Sequence, residues 1–422
     1  MATISDGNST LVVYGIPHSP ESYALRDFLQ RSMVDYRFID LTSDEVCFNQ
    51  LGIPTLDEAN LPIVDLPCGA RIDRPTPLAL AEHMGWFARP QWGVYDLAIY
   101  GAGPAGLSAA VYGASEGLRT VLIEKFAVGG QAGTTSLIEN YLGFPDGLAG
   151  AELAKRAKEQ AVKFGAELLL MYEGVEARVE DGKMMGRIDK DTWIESRATL
   201  CATGVEYRKL GLENEEKFLG RGLYYGAGMS EAEMCRGADV YVIGGGNSAG
   251  QAVVHFGQTA KQVHMLVRGP DLSATLSDYL VQRIKLNPEF EVHYQTAVTG
   301  LRGDRRLEEI ELTNRGNGDK KWVECNYLFV CIGGAPQTEW AAPHPILRDE
   351  AGYINTWPDL SCDPRFEDTW NLERLPLYLE SSMPGVFAAG DVRHNSIKRV
   401  ASAVGEGAMA VAMIHRYLAE AA

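Results

Sequence analysis

YDLAIYGAGPAGLSAAVYGASEGLRTVLIEK, residues Tyr95 to Lys125, decides the fold of this 422-residue chain. An apolar run, Tyr95–Tyr100, stops at Gly101. Gly101, Gly103 and Gly106 then fall at G-x-G-x-x-G spacing, an alanine-rich stretch follows, and a second apolar run ends on Glu124. The order predicts strand, glycine turn, helix, strand. In such a unit the first glycine permits the tight turn, the second lets the backbone approach a pyrophosphate, and the third lets helix and strand pack closely. The helix start at Pro104 and Ala105 turns unpaired N–H groups and a positive dipole end toward that pyrophosphate. Glu124, 23 residues after Gly101, stands where an acid binds a ribose 2′-hydroxyl, with Lys125 beside it.

The unit recurs as DVYVIGGGNSAGQAVVHFGQTAKQVHMLVRG. Gly244, Gly246 and Ala249 fill G-x-G-x-x-A, with Asn247 and Ser248 between them, and Arg268 follows Gly244 by 24 residues at the expected end of the second strand. An arginine there accommodates a 2′-phosphate and favours NADPH over NADH; the alternative is a solvated surface cation. Two such units imply two dinucleotides or two halves of one site. The second is nested in the first: after FARPQWG (Phe87–Gly93), which reads as a linker, one block opens at Tyr95, another begins near Gly211, and the chain returns to the first after Pro336. An α/β chain is expected: residues 1–88 as a first domain, 89–209 with 336–422 as a discontinuous nucleotide domain, and 210–335 as the nested one.

Composition is globular, with 46% hydrophobic and 23% charged residues. The net charge of −17 disfavours nucleic acid and anionic membrane as partners, which need a basic footprint. No run of 18 apolar residues exists and MATISDGNSTLVVYG lacks a signal-peptide pattern, so neither a membrane span nor a leader is expected. The seven cysteines, Cys47, Cys68, Cys201, Cys235, Cys325, Cys331 and Cys362, are scattered and no two sit three apart. A reducing cytoplasm with buried thiols fits this pattern, and neither a disulfide framework nor a metal-ligand set is expected. Cys235 and Cys201 read as buried core, Cys68 as part of a turn, and Cys325 and Cys331 as one face of a strand. His255 and His264 read as satisfied or surface side chains, while His394 falls in a segment with a possible functional role.

GAGPAG, VGGQAGTTSLIENYLGFP, CATG, GGGNSA and VFAAGDV, in this order, resemble the low-molecular-weight thioredoxin reductases over roughly Tyr95 to Leu418. The resemblance implies FAD on the first glycine loop, NADPH on the second, and a homodimer. It implies that Gly129, Gly130, Gln131 and Asn140 approach the flavin, that the CATG turn (Ala202, Thr203, Gly204) lines the FAD domain, and that Gly390 and Asp391 touch the FAD ribityl and phosphates. Lys398, Arg399 and Val400 take the place of a tripeptide that starts a helix at the flavin's pyrimidine edge, where a helix N-terminus stabilises negative charge. Ile332 and Gly333 fall with the NAD(P)H residues. Two departures matter. The family pairs the 2′-phosphate with further arginines; Gly269 and Ser273 stand at those places, so NADH is also possible. The family's redox Cys-x-x-Cys aligns with Gly226-Ala227-Gly228-Met229.

The first block, GIPHSPESYALRDFL followed by VDYRFIDL, resembles a glutaredoxin, whose Cys-Pro-x-Cys would depress a thiol pKa at a helix start. Here the motif is Ser19-Pro20-Glu21-Ser22, and a serine hydroxyl forms no disulfide. Pro62 stands where such folds keep a cis proline. Both dithiol positions are thus empty. The expected activity is an FAD-dependent NAD(P)H oxidoreductase whose acceptor is not a dithiol: a ferredoxin-like carrier, a quinone, oxygen or a small molecule. The competing readings are a non-catalytic FAD/NAD(P)H-binding redox sensor or scaffold, and a disulfide reductase using a partner's thiols. SCDPRFEDTWNLERLPLYLE reads as a surface excursion that covers a site or mediates dimerisation.

Overall fold

Strand Tyr95–Tyr100 forms where the apolar run predicts, in the middle of a seven-stranded sheet. The order is Glu167–Leu170, Thr120–Glu124, Tyr95–Tyr100, Trp193–Cys201, Lys183–Arg187, Glu176–Glu180, and Val386–Ala388 pairs alongside Thr199–Cys201. In this computed structural model residues 10–32, 34–42, 49, 51, 61–180, 183–226, 232 and 234–420 are described. By internal contacts the chain divides into residues 85–208 with 333–422 and residues 1–84 with 209–332. The grouping of the first 84 residues with 209–332 is not legible in the sequence.

In the unit of 85–208 and 333–422, helix Pro104–Ser115 is buried along Ala105, Ala109, Ala110 and Ala114. These small side chains let helix Val400–Glu420 cross it closely: a Cβ on Gly407 would lie 2.1 Å from the Ala105 carbonyl oxygen. The excursion folds back on its own unit. Arg374 forks onto the fully buried Glu380 carboxylate at 2.7 and 2.9 Å and also pairs with Glu420, while Trp370 Nε1 donates to the Arg374 carbonyl.

The other unit holds a five-stranded parallel sheet ordered Leu223–Tyr225, Leu328–Val330, Asp239–Ile243, Gln262–Leu266, Phe290–His293. Strand alternation sends Tyr224, Val240, Val242, Val263, Met265 and Phe329 to one core and Leu223, Tyr241, Ile243, Leu266, Leu328 and Val330 to another, as expected of a parallel sheet buried on both faces. This corrects the shared face expected for Cys325 and Cys331. The strand is only Leu328–Val330; Cys325 precedes it and joins the second core, while Cys331 follows it and packs against the first.

Residues 10–84 add a mixed sheet ordered Tyr36–Asp40, Leu11–Gly15, Ile63–Asp65, Arg71–Asp73, with helices Pro20–Arg31 and Pro77–His83. The Leu61–Pro62 bond is cis, as expected. The start of helix Pro20–Arg31 is pressed against the five-stranded domain: the Tyr23 ring meets Tyr224 at 5.2 Å, the His18 ring meets Tyr327 at 5.9 Å, and Pro20 Cα lies 3.2 Å from where a Gly220 Cβ would be. No helix among the described residues is long and apolar enough to cross a membrane.

Candidate functional site

Gly101 leaves its strand at φ 103°, and a Cβ on it would sit 2.4 Å from the Ala202 carbonyl oxygen. A Cβ on Gly106 would be 1.9 Å from Gly101 O, so this close helix–strand contact admits only glycine. Gly103 caps helix Pro104–Ser115 in extended conformation with no side-chain cap, and open space lies where its Cβ would be. The first-turn N–H groups of this helix therefore face a cradle free of side chains, as an anion-binding turn requires. Glu124 ends its strand, and its carboxylate accepts from Ala102 N at 2.8 Å and Phe126 N at 2.9 Å, which ties the strand end to the glycine turn. Lys125 pairs instead with Glu206 and Glu173.

Around this loop gather the segments singled out in the sequence. Gly129 N donates to Ala102 O at 2.7 Å, and a Gly130 Cβ would lie 3.2 Å from Gly103 Cα. Gln131 Nε2 donates to Val205 O at 2.7 Å, on the turn that Ala202, Thr203 and Gly204 form; Ala202 N in turn donates to Tyr100 O. Gly390, at φ 77°, would place a Cβ 3.0 Å from the Ala105 Cβ, and its N–H donates to the buried Glu406 carboxylate at 2.7 Å; Arg393 closes the Glu406 pair. Burial raises the Asp391 carboxyl above its ordinary range, against the pull of Lys398. Lys398 Nζ reaches Asp391 O at 2.6 Å, and Arg399 directly precedes helix Val400–Glu420. Asn140 is exposed. His394 is held by Asp349, Nδ1 to Oδ2 at 2.7 Å. Gly101, Glu124, Gly129, Gly130, the Ala202–Gly204 turn and Gly390 thus gather at the carboxyl ends of the parallel strands, where open α/β sheets bind ligands.

The second loop repeats the geometry within its own unit. Gly246 caps helix Asn247–Phe256 with no side-chain cap, Ser248 is exposed, and Ala249 is buried. Asn247 does not face the cradle: it clamps Ser277, giving Nδ2 to Oγ at 2.9 Å and accepting from Ser277 N at 2.8 Å. Arg268 does not end the strand, which closes at Leu266; it lies two residues further out and is exposed. Glu124 and Arg268 are therefore not at equivalent strand ends. Ile332 belongs to this unit, whereas Gly333 falls in the other, where its carbonyl accepts from Arg208 N.

Sequence reasoning missed Asp271. Its carboxylate accepts from Leu272 N at 2.7 Å and from the Ser273 hydroxyl, and these bonds with the Ser273 amide hold it below the ordinary carboxylate range. The loop after the strand thus carries one cation and one firmly ionised acid. The signal was present in VRGPDLS as an acid three residues after Arg268.

Of the redox window only Gly226 is described; Ala227, Gly228 and Met229 lie outside the described residues. Gly226 adopts φ 81°, a conformation costly for any residue with a Cβ. In the first domain Ser19 caps its helix, accepting from Ser22 N at 3.0 Å and donating to Ser22 Oγ at 2.9 Å, and Ser22 is fully buried. Cys235 and Cys201 are buried core as expected, Cys68 sits exposed in a turn, and Cys47 lies outside the described residues. Burial raises the Cys201, Cys325 and Cys331 thiols. His255 is half-buried on its helix, and His264 lies on its strand beside Glu291 and His293, a grouping that sequence spacing did not reveal.

Residues 95–407 match the pyridine nucleotide-disulphide oxidoreductase family. The thioredoxin reductase of Treponema pallidum (strain Nichols) is 32% identical over 324 residues, which cover 77% of this chain and 97% of that protein. Among solved structures, Lactococcus lactis thioredoxin reductase in its FR conformation is 27% identical, with a TM-score of 0.69 over 77% of this chain and 99% of that one. The T. acidophilum enzyme is 28% identical, with a TM-score of 0.68 over 78% and 99%. The family uses FAD and NADPH, and both uncapped glycine cradles fit such groups. The chain belongs to the pyridine nucleotide-disulphide oxidoreductases and is an FAD-dependent oxidoreductase of the thioredoxin reductase type.

Proposed function

We propose that the chain oxidises NADPH, and also NADH, and delivers the electrons to an acceptor other than a dithiol. One observation carries this reading: both nucleotide cradles are kept while both dithiol positions lack cysteine. Gly226, with φ 81°, opens the window where the family pair would stand, and Ser19 and Ser22 bond to one another in the first domain. Of the described cysteines, Cys201, Cys235 and Cys325 are buried, Cys331 is half-buried and Cys68 and Cys362 are exposed, and none is joined to another, so none substitutes for the pair.

FAD held there would supply hydride-accepting chemistry toward a nicotinamide and one- or two-electron donation to an acceptor. The protein's part is to hold and orient. Gly101, Gly103 and the start of helix Pro104–Ser115 would hold the FAD pyrophosphate, with Glu124 shaping the loop toward the ribose, and Gly130, Gln131, Thr203, Gly390 and Asp391 would border the rest. The start of helix Val400–Glu420, next to Lys398 and Arg399, would supply positive potential. Gly244, Gly246 and Ser248 would hold the dinucleotide, with Arg268 toward its adenosine end. A homodimer follows from the family resemblance.

The test is anaerobic addition of NADPH, then NADH, to FAD-loaded protein, followed by ferricyanide, a quinone, a ferredoxin or thioredoxin with a dye disulfide. Rapid bleaching, with reoxidation by carriers or quinone but not by thioredoxin, is expected. Thioredoxin-dependent dye reduction overturns the acceptor assignment. Absence of bleaching with FAD bound overturns the enzyme reading in favour of a sensor.

A further inference from the structure

Strands Gln262–Leu266 and Phe290–His293 run parallel at one edge of the five-stranded sheet, with His264 level with Glu291 and Leu266 level with His293. Period-two alternation puts His264, Glu291 and His293 on one face, and their polar atoms converge. His264 Nδ1 lies 3.1 Å from His293 Nε2 and 3.2 Å from Glu291 Oε2; His293 Nε2 lies 3.6 Å from Glu291 Oε1. A tetrahedral zinc ion with bonds of about 2.0–2.1 Å sets its ligand atoms roughly 3.3 Å apart, and the three separations bracket that value. A lone histidine–histidine hydrogen bond accounts for the shortest separation but not for the carboxylate drawn to both rings.

The surroundings favour order at this place. The His264 ring stacks on Tyr241 with centroids 4.4 Å apart, which fixes its plane. Both imidazoles are largely covered, and Glu291 is half-exposed, so water reaches a fourth coordination position. Gln262 Nε2 donates to Glu291 Oε2 at 3.4 Å, an outer hydrogen bond of the sort that orients a metal-binding carboxylate. Among the described residues, this is the one place where three histidine, cysteine or acidic side chains converge in this way.

We propose that His264, Glu291 and His293 form a zinc site that staples the edge strand Phe290–His293 to its neighbour. Imidazole with carboxylate is a ligand set that suits zinc. Three protein ligands and one water make an accessible site from which a chelator removes the ion. None of the three residues belongs to either glycine loop, so the proposal stands or falls independently of the proposed electron transfer.

The experiment uses full-length, FAD-loaded protein stripped with EDTA and titrated with zinc chloride by calorimetry, alongside thermal unfolding with and without zinc. One high-affinity ion per chain and a raised midpoint are expected. His264→Gln and His293→Gln each should weaken binding at least about tenfold and abolish the midpoint shift, with bleaching by NADPH unchanged. Glu291→Gln, at a half-exposed position, gives the same test should either histidine variant fold poorly. His415→Gln, outside the cluster, should bind as the parent does. Parent-like affinity in the cluster variants would assign the zinc elsewhere, with the exposed thiols of Cys68 and Cys362 as the obvious recipients, and overturn the proposal. So would absence of binding, or binding without a midpoint shift.

Discussion

At the scale of single residues, the proposed use of NADPH and NADH turns on the loop after strand Gln262–Leu266. Arg268 is an exposed cation and Asp271 a firmly ionised acid. For a 2′-phosphate their effects oppose; for a free 2′-hydroxyl neither charge matters much. Arg268→Ala is expected to raise KM for NADPH by up to about fivefold, the scale of one exposed charge pair near 1 kcal/mol, and to leave KM for NADH unchanged. Asp271→Asn should lower KM for NADPH by a similar factor. Stopped-flow bleaching with each nucleotide checks both; equal effects on the two nucleotides would remove Arg268 from the site. The glycine loops were legible because a strand, a fixed spacing and a helix all had to agree. Asp271 was not, because its importance comes from the hydrogen bonds that keep it ionised. The left-handed backbone of Gly226 was equally hidden, since a glycine letter does not say whether its freedom is used.

Among the elements, the contact between helices Pro104–Ser115 and Val400–Glu420 depends on the absence of one methyl group. At an exposed helical position Gly→Ala stabilises by roughly 0.5–1 kcal/mol. At Gly407 the new Cβ would stand 2.1 Å from the Ala105 carbonyl oxygen, and overpacking costs about 1–3 kcal/mol. The clash wins, so Gly407→Ala should lower the thermal midpoint and weaken FAD retention, because Ala105 belongs to the first turn of the cradle helix. Denaturation followed by flavin fluorescence measures both; an unchanged or raised midpoint would show that the helices separate at little cost. Strand Tyr95–Tyr100, the helix after it and the strand ending on Glu124 could be read from apolar runs and glycine spacing. The pairing of helix Pro104–Ser115 with a helix almost 300 residues later could not, and neither could the convergence of His264 with Glu291 and His293. Both depend on strand or helix adjacency, which local spacing does not carry.

For the molecule as a whole, the informative junction is the one between the first domain and the five-stranded domain. His18, against Tyr327, is held below the ordinary histidine value by burial first and then by Arg306 and Arg26, with Asp40 opposing. The junction therefore favours neutral imidazole, and its disruption takes up a proton. The His18 contribution is complete above pH about 6.5 and declines as the pH falls below it. The protection of the Tyr224 and Tyr225 amides, corrected for intrinsic exchange, should fall between about pH 6.5 and 5 in the parent and lose that dependence in His18→Gln; pH-independent protection in the parent would contradict the assignment. The sequence carried the first domain's resemblance to a glutaredoxin but not its seat, because Tyr23 and Tyr224 are distant along the chain.

That distance has a consequence for synthesis. Ribosomes add about 5–20 residues per second, so the Tyr23 ring waits on the order of 10–40 seconds before Tyr224 is even made. During that interval the whole of the intervening segment, residues 85–208, is synthesised. The nascent first domain must keep its aromatic face from other chains until then, and the final docking step closes a loop of some two hundred residues. A protein arranged this way is complete as a junction only late in its own translation, whatever the speed at which its separate sheets fold.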